Sequence, residues 1–376
     1  MRRPTIGIVG GGQLGRMLTE AALPLGFDVV VVDPGENCPA HQAGAAEITA
    51  HLYDEPALRE LAKRSDYLTV EIEHLDTHVL EKLEKAGAVI NPSPATVRLI
   101  QDKYAQKVFL QKRGIPVAPF CEITDETTAF KALKDFGGKM LMKAKHGAYD
   151  GRGNMVVRST DDVRKVLLAF DGRELYAEGF VPFTKELAVV VARSVHGDIA
   201  VYPPVETIHV RNICEQVLAP ASVEHGIALK ATRLAHEVAA LLGGAGVFGI
   251  EMFLTKGGEV LVNEIAPRVH NSGHHTIEWS RTSQFEQHVR AITGLPLGSV
   301  DVTAPAAVMI NILGERDGPT ELTGLNKALV VPQVAVHMYG KSPTKVDRKM
   351  GHITATGKTT AEAQKRAQKA RKAIDI

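Results

Sequence analysis

Cysteine is scarce. Cys38, Cys121 and Cys214 are odd in number, far apart and without a C-x-x-C pair. That argues against a disulfide framework or a thiolate zinc site and for reduced thiols in a cytoplasmic protein. An excess of either charge is missing too: 44 Lys and Arg stand against 43 Asp and Glu, a net charge of +1. Such a balance supplies no field for drawing in nucleic acid or an acidic membrane, so neither is an expected partner. No apolar run reaches membrane-spanning length, and Met1-Arg2-Arg3 leads only into a short apolar stretch ending in glycines, a strand start rather than a signal peptide. Long-period repeats are absent, as is low complexity outside an Ala/Lys/Arg-rich end. What remains is an ordinary soluble composition, 44% hydrophobic and 23% charged, in 376 residues, enough for two or three domains.

The most informative stretch runs from Gly249 to His275, GIEMFLTKGGEVLVNEIAPRVHNSGHH. Two carboxylates interrupt runs that otherwise read as core strand. If Gly257 and Gly258 make a two-residue hairpin turn, Glu251 falls opposite Glu264 on one face, with Cβ atoms roughly 5 Å apart. Two carboxylates so close either share a proton or hold a cation between them. A hard divalent ion such as Mg²⁺, with Mn²⁺ as an alternative, suits oxygen ligands and substrate phosphates. The competing reading is a register one residue different, with each Glu paired to Arg or Lys. Simple alternation turns Asn263 to the other face. Arg268, His270, Asn271, His274 and His275 follow, and so many donors suggest an anionic substrate.

TIGIVGGGQLGRMLTEAALPLGFDVVVVDP reads as strand, glycine turn, helix and strand, the opening of a doubly wound parallel sheet. Gly10, Gly12 and Gly15 with Asp33 fit a dinucleotide fingerprint, but the same loop suits another phosphate or plain tight packing. Further units follow: helix at 57–65, strand at 67–75, helix at 77–87 and strand at 88–91. Glu71 and Glu73 alternate with apolar residues. That places Glu73, with His74, near a strand's C-terminal end, either facing the ligand crevice or as a solvated edge charge.

Asn91-Pro92-Ser93-Pro94 marks a boundary, with Ser93 as helix cap and Pro94 at the first helical position. A helical stretch over 101–114 carries Lys103. Lys143 lies in an apolar strand and needs an anionic partner, which a triphosphate would provide. Gly147, Gly151 and Gly153 would let backbone N–H groups close over that phosphate. Tyr149, Asp150 and Arg152 add directional polar groups to the same loop. Glu178 ends one strand and Glu186 starts the next, which suits adenine and ribose, although edge-strand acids are common. Strands at 306–314 and 328–340 and a helix from Thr359, opened by a Thr359–Glu362 capping box, complete the chain. The basic residues of that helix, Lys365, Arg366, Lys369, Arg371 and Lys372, read as a solvated face and not as a nucleic-acid patch.

Taken in order, GGGQLGRM at 10–17, the Lys103 helix, Lys143, GAYDGRG at 147–153, Glu178 with Glu186, NEIAPRVHNSGHH at 263–275 and YGKSPTKVDRKMGHIT at 339–354 carry a resemblance along nearly the whole chain. It resembles the ATP-grasp ligases, and among them the N5-carboxyaminoimidazole ribonucleotide synthetase family of purine biosynthesis. The fold so implied is α/β, α+β in part. A Rossmann-like parallel-sheet domain (1–92) precedes a two-lobed ATP-grasp domain (93–300) and a small β-rich C-terminal domain (301–376). The resemblance implies that Lys103, Lys143, Glu178, Val181 and Glu186, with the loop glycines and with Asn263 and Glu264, bind ATP. It implies that Glu251 and Glu264, with Asn263, hold Mg²⁺. Glu73, Tyr149, Asp150, Arg152, Arg268, His270 and Asn271 would surround 5-aminoimidazole ribonucleotide, its phosphate against Gln13, Leu14, Lys341 and Arg348. A homodimer is implied as well. Two details depart from the pattern: Ala148 stands where a second glycine is common, and Lys256-Gly257-Gly258 is slightly longer than in some relatives.

The implied reaction phosphorylates bicarbonate to carboxyphosphate, which the ribonucleotide's amine then attacks. Lys143 would neutralise phosphate charge, Asp150, beside Tyr149, or a neighbouring carboxylate would take the amine proton, and Arg268 would stabilise developing charge. The competing functions are a sister ATP-grasp ligase acting on another amine, a nicotinamide-dependent oxidoreductase resting on Gly10 and Asp33, and a non-catalytic nucleotide binder.

Overall fold

The computed structural model describes residues 2–147 and 153–376. The expectations placed on Tyr149, Asp150, Gly151 and Arg152 lie outside the described residues. Among the described residues the strands form three sheets. The first is parallel, with the order Ala46–Thr49, Asp28–Asp33, Thr5–Val9, Tyr67–Val70. Its β-branched runs are buried on both faces, as a helix-covered parallel sheet requires. Helix Gln13–Ala22 lays Leu14, Met17, Leu18 and Ala22 against one face of it.

Two elements expected here differ. The strand expected over 67–75 stops at Val70, because the chain turns Glu71 under the glycine loop. The strand expected over 88–91 is reduced to one bridge, Leu68 to Ile90.

Ser93 and Pro94 start a helix as expected, with Ser93 Oγ accepting from the Thr96 N–H at 3.2 Å. That first helix is Pro94–Gln101, and the helical stretch expected over 101–114 is the separate helix Lys103–Gln111. Asp102 breaks the run: it is extended, and its carboxylate caps the second helix at Ala105 N–H, 2.9 Å away. That restart aims Lys103 and Lys107 along one face of the new helix.

A four-stranded antiparallel sheet follows, ordered Phe120–Ile123, Leu175–Gly179, Met140–Ala144, Asn154–Val157. The third sheet is the largest. Its order is Val260–Ala266, Gly246–Thr255, Phe183–Arg193, Val205–Val210, Ile213–Ala219, Ala306–Leu313, Lys349–Gly357, Val334–Met338, with Ile199–Val201 added beside Phe183–Arg193. The C-terminal strands therefore extend the nucleotide half's own sheet through Ile213–Ala219. Helix His225–Leu242 packs Ala231, Leu234, Ala235, Val238 and Ala239 onto Val189, Val191, Phe248, Ile250 and Met252 in one core.

The strand expected over 328–340 begins only at Val334. Leu325–Leu329 is a short helix, and Leu329 and Val330 are 54% and 79% exposed. A four-residue apolar run does not distinguish strand from helix by periodicity. In the last helix, Thr360–Arg371, Thr359 caps the Glu362 N–H at 3.2 Å, but Glu362 reaches the Lys358 N–H at 2.8 Å, one residue before the expected partner. Among the described residues no helix is long and apolar enough to cross a membrane.

Candidate active site

Glu251 and Glu264 do face each other, by a route different from the one expected. The hairpin loop has three residues: Thr255 and Glu259 pair, and Lys256, Gly257 and Gly258 connect them, with Gly258 at φ +77° where a left-handed conformation closes the turn. That register runs through Leu254–Val260, Phe253–Leu261 and Met252–Val262 and would put Asn263 opposite Glu251. A β-bulge instead makes the next pair Glu251–Glu264. Asn263 is the extra residue. Val262 and Ile265 both enter the core beneath the hairpin, so Asn263 and Glu264 share the opposite face, and the expectation that Asn263 points away is corrected.

Glu264 Oε1 accepts from Lys103 Nζ at 2.6 Å. Glu251 has the imidazole Nε2 of His270 at 3.6 Å. Burial, and then the charge of Arg268, hold that His270 ring down to about 3, so it stays neutral. Burial and the charge of Glu264 push the Glu251 carboxyl up to about 7. This settles the competing register: the pair is face to face, with Lys103 against Glu264 and a neutral imidazole against Glu251.

Beneath the hairpin lies a second cluster. Lys143 Nζ donates to Glu178 Oε2 at 2.6 Å, and Lys107 Nζ stands 3.1 Å from Glu178 Oε1. Glu178 is 1% exposed. Burial alone would raise its carboxyl, but the charges of Lys107 and Lys143 outweigh that and hold it at about 2. Both Glu178 oxygens are thus engaged by lysines, so its buried side chain braces Lys143 and is not free for the adenine and ribose contact expected of it, a correction of that reading. Sequence reading missed Lys107, although its spacing of four from Lys103 puts both on one helix face. Glu186 pairs with His209 Nδ1, and the Val181 carbonyl accepts from the Phe183 N–H at 2.9 Å. Gly147 and Gly153 bracket the loop with φ of +70° and +97°.

The glycine turn of the first sheet is already filled from within. Gly12 N–H donates to Glu71 at 2.7 Å, Gly15 N–H donates to the same carboxylate, and Gly11 N–H donates to Asp33 at 2.9 Å. A Cβ on Gly12 would come within 2.6 Å of Glu71 Oε1, so the glycines admit an internal carboxylate. The dinucleotide reading loses its site there, since Glu71 sits where the pyrophosphate would, and burial raises its pKa. Leu14 has its side chain in the core, while Gln13 Oε1 accepts from Lys341 Nζ of the C-terminal loop. Arg348 donates to the Pro343 carbonyl in that same loop at 2.5 Å.

Glu73 faces the crevice rather than bulk solvent. Both of its oxygens accept from Arg268, at 2.5 and 3.0 Å. Burial would raise Glu73, but the guanidinium beside it holds the carboxyl at about 2. Asn271 and Asn311 exchange reciprocal amide hydrogen bonds of 3.0 and 2.7 Å in a buried setting, so Asn271 couples this segment to the C-terminal strands. His274 and His275 are buried as well. A cavity of about 270 Å³ opens between the parallel-sheet domain and the nucleotide half, lined by Tyr53, Glu73, Lys103, His146, Gly147 and Glu264.

A lysine-bearing antiparallel sheet, Gly147 after its strand and a carboxylate hairpin set around one cleft define an ATP-grasp enzyme. An ATP-grasp domain model matches residues 108–285, a ribonucleotide synthetase preATP-grasp domain model residues 3–101, and a phosphoribosylaminoimidazole carboxylase C-terminal domain model residues 307–366. The chain belongs to the N5-carboxyaminoimidazole ribonucleotide synthase family. It is 40% identical to the synthase of that name from Bacillus subtilis, over 93% of this chain and 90% of the other. It is 45% identical to the phosphoribosylaminoimidazole carboxylase of Ogataea methanolica, over 97% of this chain but 69% of that protein, and thus spans about two thirds of such longer relatives. Among solved structures, the Aspergillus clavatus N5-carboxyaminoimidazole synthase in complex with ADP and 5-aminoimidazole ribonucleotide superposes with a TM-score of 0.91 at 40% identity, covering 99% of this chain and 98% of that one.

Proposed function

We infer that the chain carboxylates 5-aminoimidazole ribonucleotide with bicarbonate at the expense of ATP, through carboxyphosphate, releasing N5-carboxyaminoimidazole ribonucleotide, ADP and phosphate. The observation that carries this reading is the cleft itself. Its face-to-face carboxylates and Lys143 adjoin a second set, Glu73 with Arg268, at the mouth of the parallel sheet. One set suits a nucleoside triphosphate and the other an anionic cosubstrate.

The acids fit a hard divalent cation. Glu251 is forced up to about 7 by burial and its neighbour's charge, a cost that a bound ion removes. Glu251 and Glu264, with Asn263 from the bulge, would hold Mg²⁺, which when bound neutralises charge on the transferred phosphoryl group. Lys143, braced by Glu178, contributes fixed positive charge to the same group. Lys103, Val181, Glu186, Gly147 and Gly153 complete the ATP site, with Gly151 in the loop between them.

Arg268, held in plane by two bonds to Glu73, is aimed at the developing carbamate. His270 and Asn271 shape the ribonucleotide pocket. Gln13, Leu14, Lys341 and Arg348 receive its phosphate, the contact between Lys341 and Gln13 supporting that grouping. Asp150 takes the amine proton, with Tyr149 and Arg152 beside it. A homodimer in the cytoplasm belongs to the same proposal, and three free thiols support the location.

The test is phosphate release from ATP with bicarbonate and the ribonucleotide omitted in turn. Release that depends on the ribonucleotide is expected; release indifferent to it removes the assignment.

A further inference from the structure

We propose that Lys107, buried beneath the nucleotide site and out of reach of any ligand, is a positioning residue that leaves Lys143 with positive charge to spend on the phosphates of ATP. The inference rests on the reading of Lys143 as a nucleotide ligand.

The geometry is a triad. Glu178 is 1% exposed and Lys107 2% exposed, with Lys143 at 8% at the cleft side. Lys143 Nζ lies 2.6 Å from one carboxylate oxygen of Glu178, and Lys107 Nζ 3.1 Å from the other. Two ammonium groups share one carboxylate, so the triad carries a net charge of one. Without Lys107, Glu178 and Lys143 would form a closed, neutral pair. A neutral pair attracts a polyphosphate far less than a net cation does, and more so where the medium is poorly polarisable. Burial alone would lower the Lys107 ammonium; the charge of Glu178 partly offsets that.

Lys107 also fixes distance. Its Nζ donates to the Val262 carbonyl at 3.3 Å, the residue just before Asn263 and Glu264. Glu178 belongs to the lysine sheet and Val262 to the carboxylate hairpin, so one buried ammonium ties the two walls of the cleft together. Lys103, one turn earlier on the same helix, holds Glu264 at 2.6 Å. A single helix face therefore sets the charge balance on both sides of the nucleotide.

The test measures calorimetric binding of ADP with Mg²⁺, and of the ribonucleotide separately, to Lys107→Met, Lys107→Met/Glu178→Gln and Lys143→Met. Lys107→Met is expected to weaken ADP by tenfold or more while the ribonucleotide stays within threefold. The double variant, in which the site again carries a net charge of one, now on Lys143 alone, is expected to return ADP to within threefold of wild type. ADP affinity unchanged in Lys107→Met overturns the proposal, as does a double variant that remains weakened tenfold, because a merely structural role is not rescued by removing a second partner. Should Lys107→Met fail to fold, Lys107→Gln, which keeps a donor beside Glu178 and the Val262 carbonyl but not the charge, is read by the same limits. Unchanged ADP affinity in Lys143→Met would instead remove the underlying reading of the site, whatever Lys107 does.

Discussion

Glu251 faces Glu264 across the hairpin while Asn263, between Val262 and Glu264, is skipped in the pairing of the two strands. Strike Asn263 out and the strand becomes regular, with the two acids still opposed and Val262 and Ile265 still in the core. The inserted residue therefore adds one thing to the carboxylate face, an amide. Deleting Asn263 is expected to leave the melting temperature within a few degrees of wild type and to lower turnover by roughly a hundredfold, the scale of one lost transition-state donor. Turnover near wild type in the folded deletion variant would show that the bulge serves only the strand.

The acids should announce themselves through pH. Glu251 has a folded value of about 7 against an ordinary 4.5. A raised carboxyl contributes stability below the ordinary value and loses it as the pH rises through the folded one. Metal-free protein should thus lose stability between pH 4.5 and 7 relative to Glu251→Gln, and Mg²⁺ should restore it in wild type only. Parallel urea curves for the two proteins across that range would refute this.

Much of this arrangement was legible in the sequence, and the failures have physical causes. The opposed acids were foreseen from a two-residue turn that does not exist; a three-residue loop and a bulge each shift the register by one and cancel. Lys143 was found because a charge in an apolar strand needs a partner, yet that partner proved to be Glu178, 35 residues away in sequence on the strand paired beside it. Lys107 looked like any helix lysine, since the burial that makes it matter comes from tertiary packing. The glycine turn read as a phosphate loop because the same close approach serves any carboxylate or phosphate oxygen. Asp102 starts the helix two residues later than expected, since it was readable as a cap but lay inside an otherwise helical pattern.

Glu73 and Arg268 give an opposite acid signature. Glu73 is held at about 2, below its ordinary 4.5, so its contribution is present in full above pH 4.5 and is lost as the pH falls toward 2. Glu73→Gln is expected to cost about 2–3 kcal/mol at pH 6 and much less at pH 3. Denaturation at both values measures it, and an equal cost at both would contradict the pairing. Turnover should fall as well, because Arg268 loses the two bonds that orient it.

Glu71 occupies the anion position at the start of helix Gln13–Ala22, accepting from the Gly12 and Gly15 N–H groups. Glu71→Ala would strand both donors at the positive end of the helix. At low salt the expected loss is about 2–3 kcal/mol, the cost of two poorly satisfied buried groups. The opened turn then has what a free anion needs, so millimolar inorganic phosphate should raise the melting temperature of Glu71→Ala by more than it raises that of wild type, where only the neighbouring Gln13 and Lys341 group can respond. Equal phosphate responses in the two proteins would mean that the turn binds phosphate with Glu71 in place, and that the carboxylate is not what fills it.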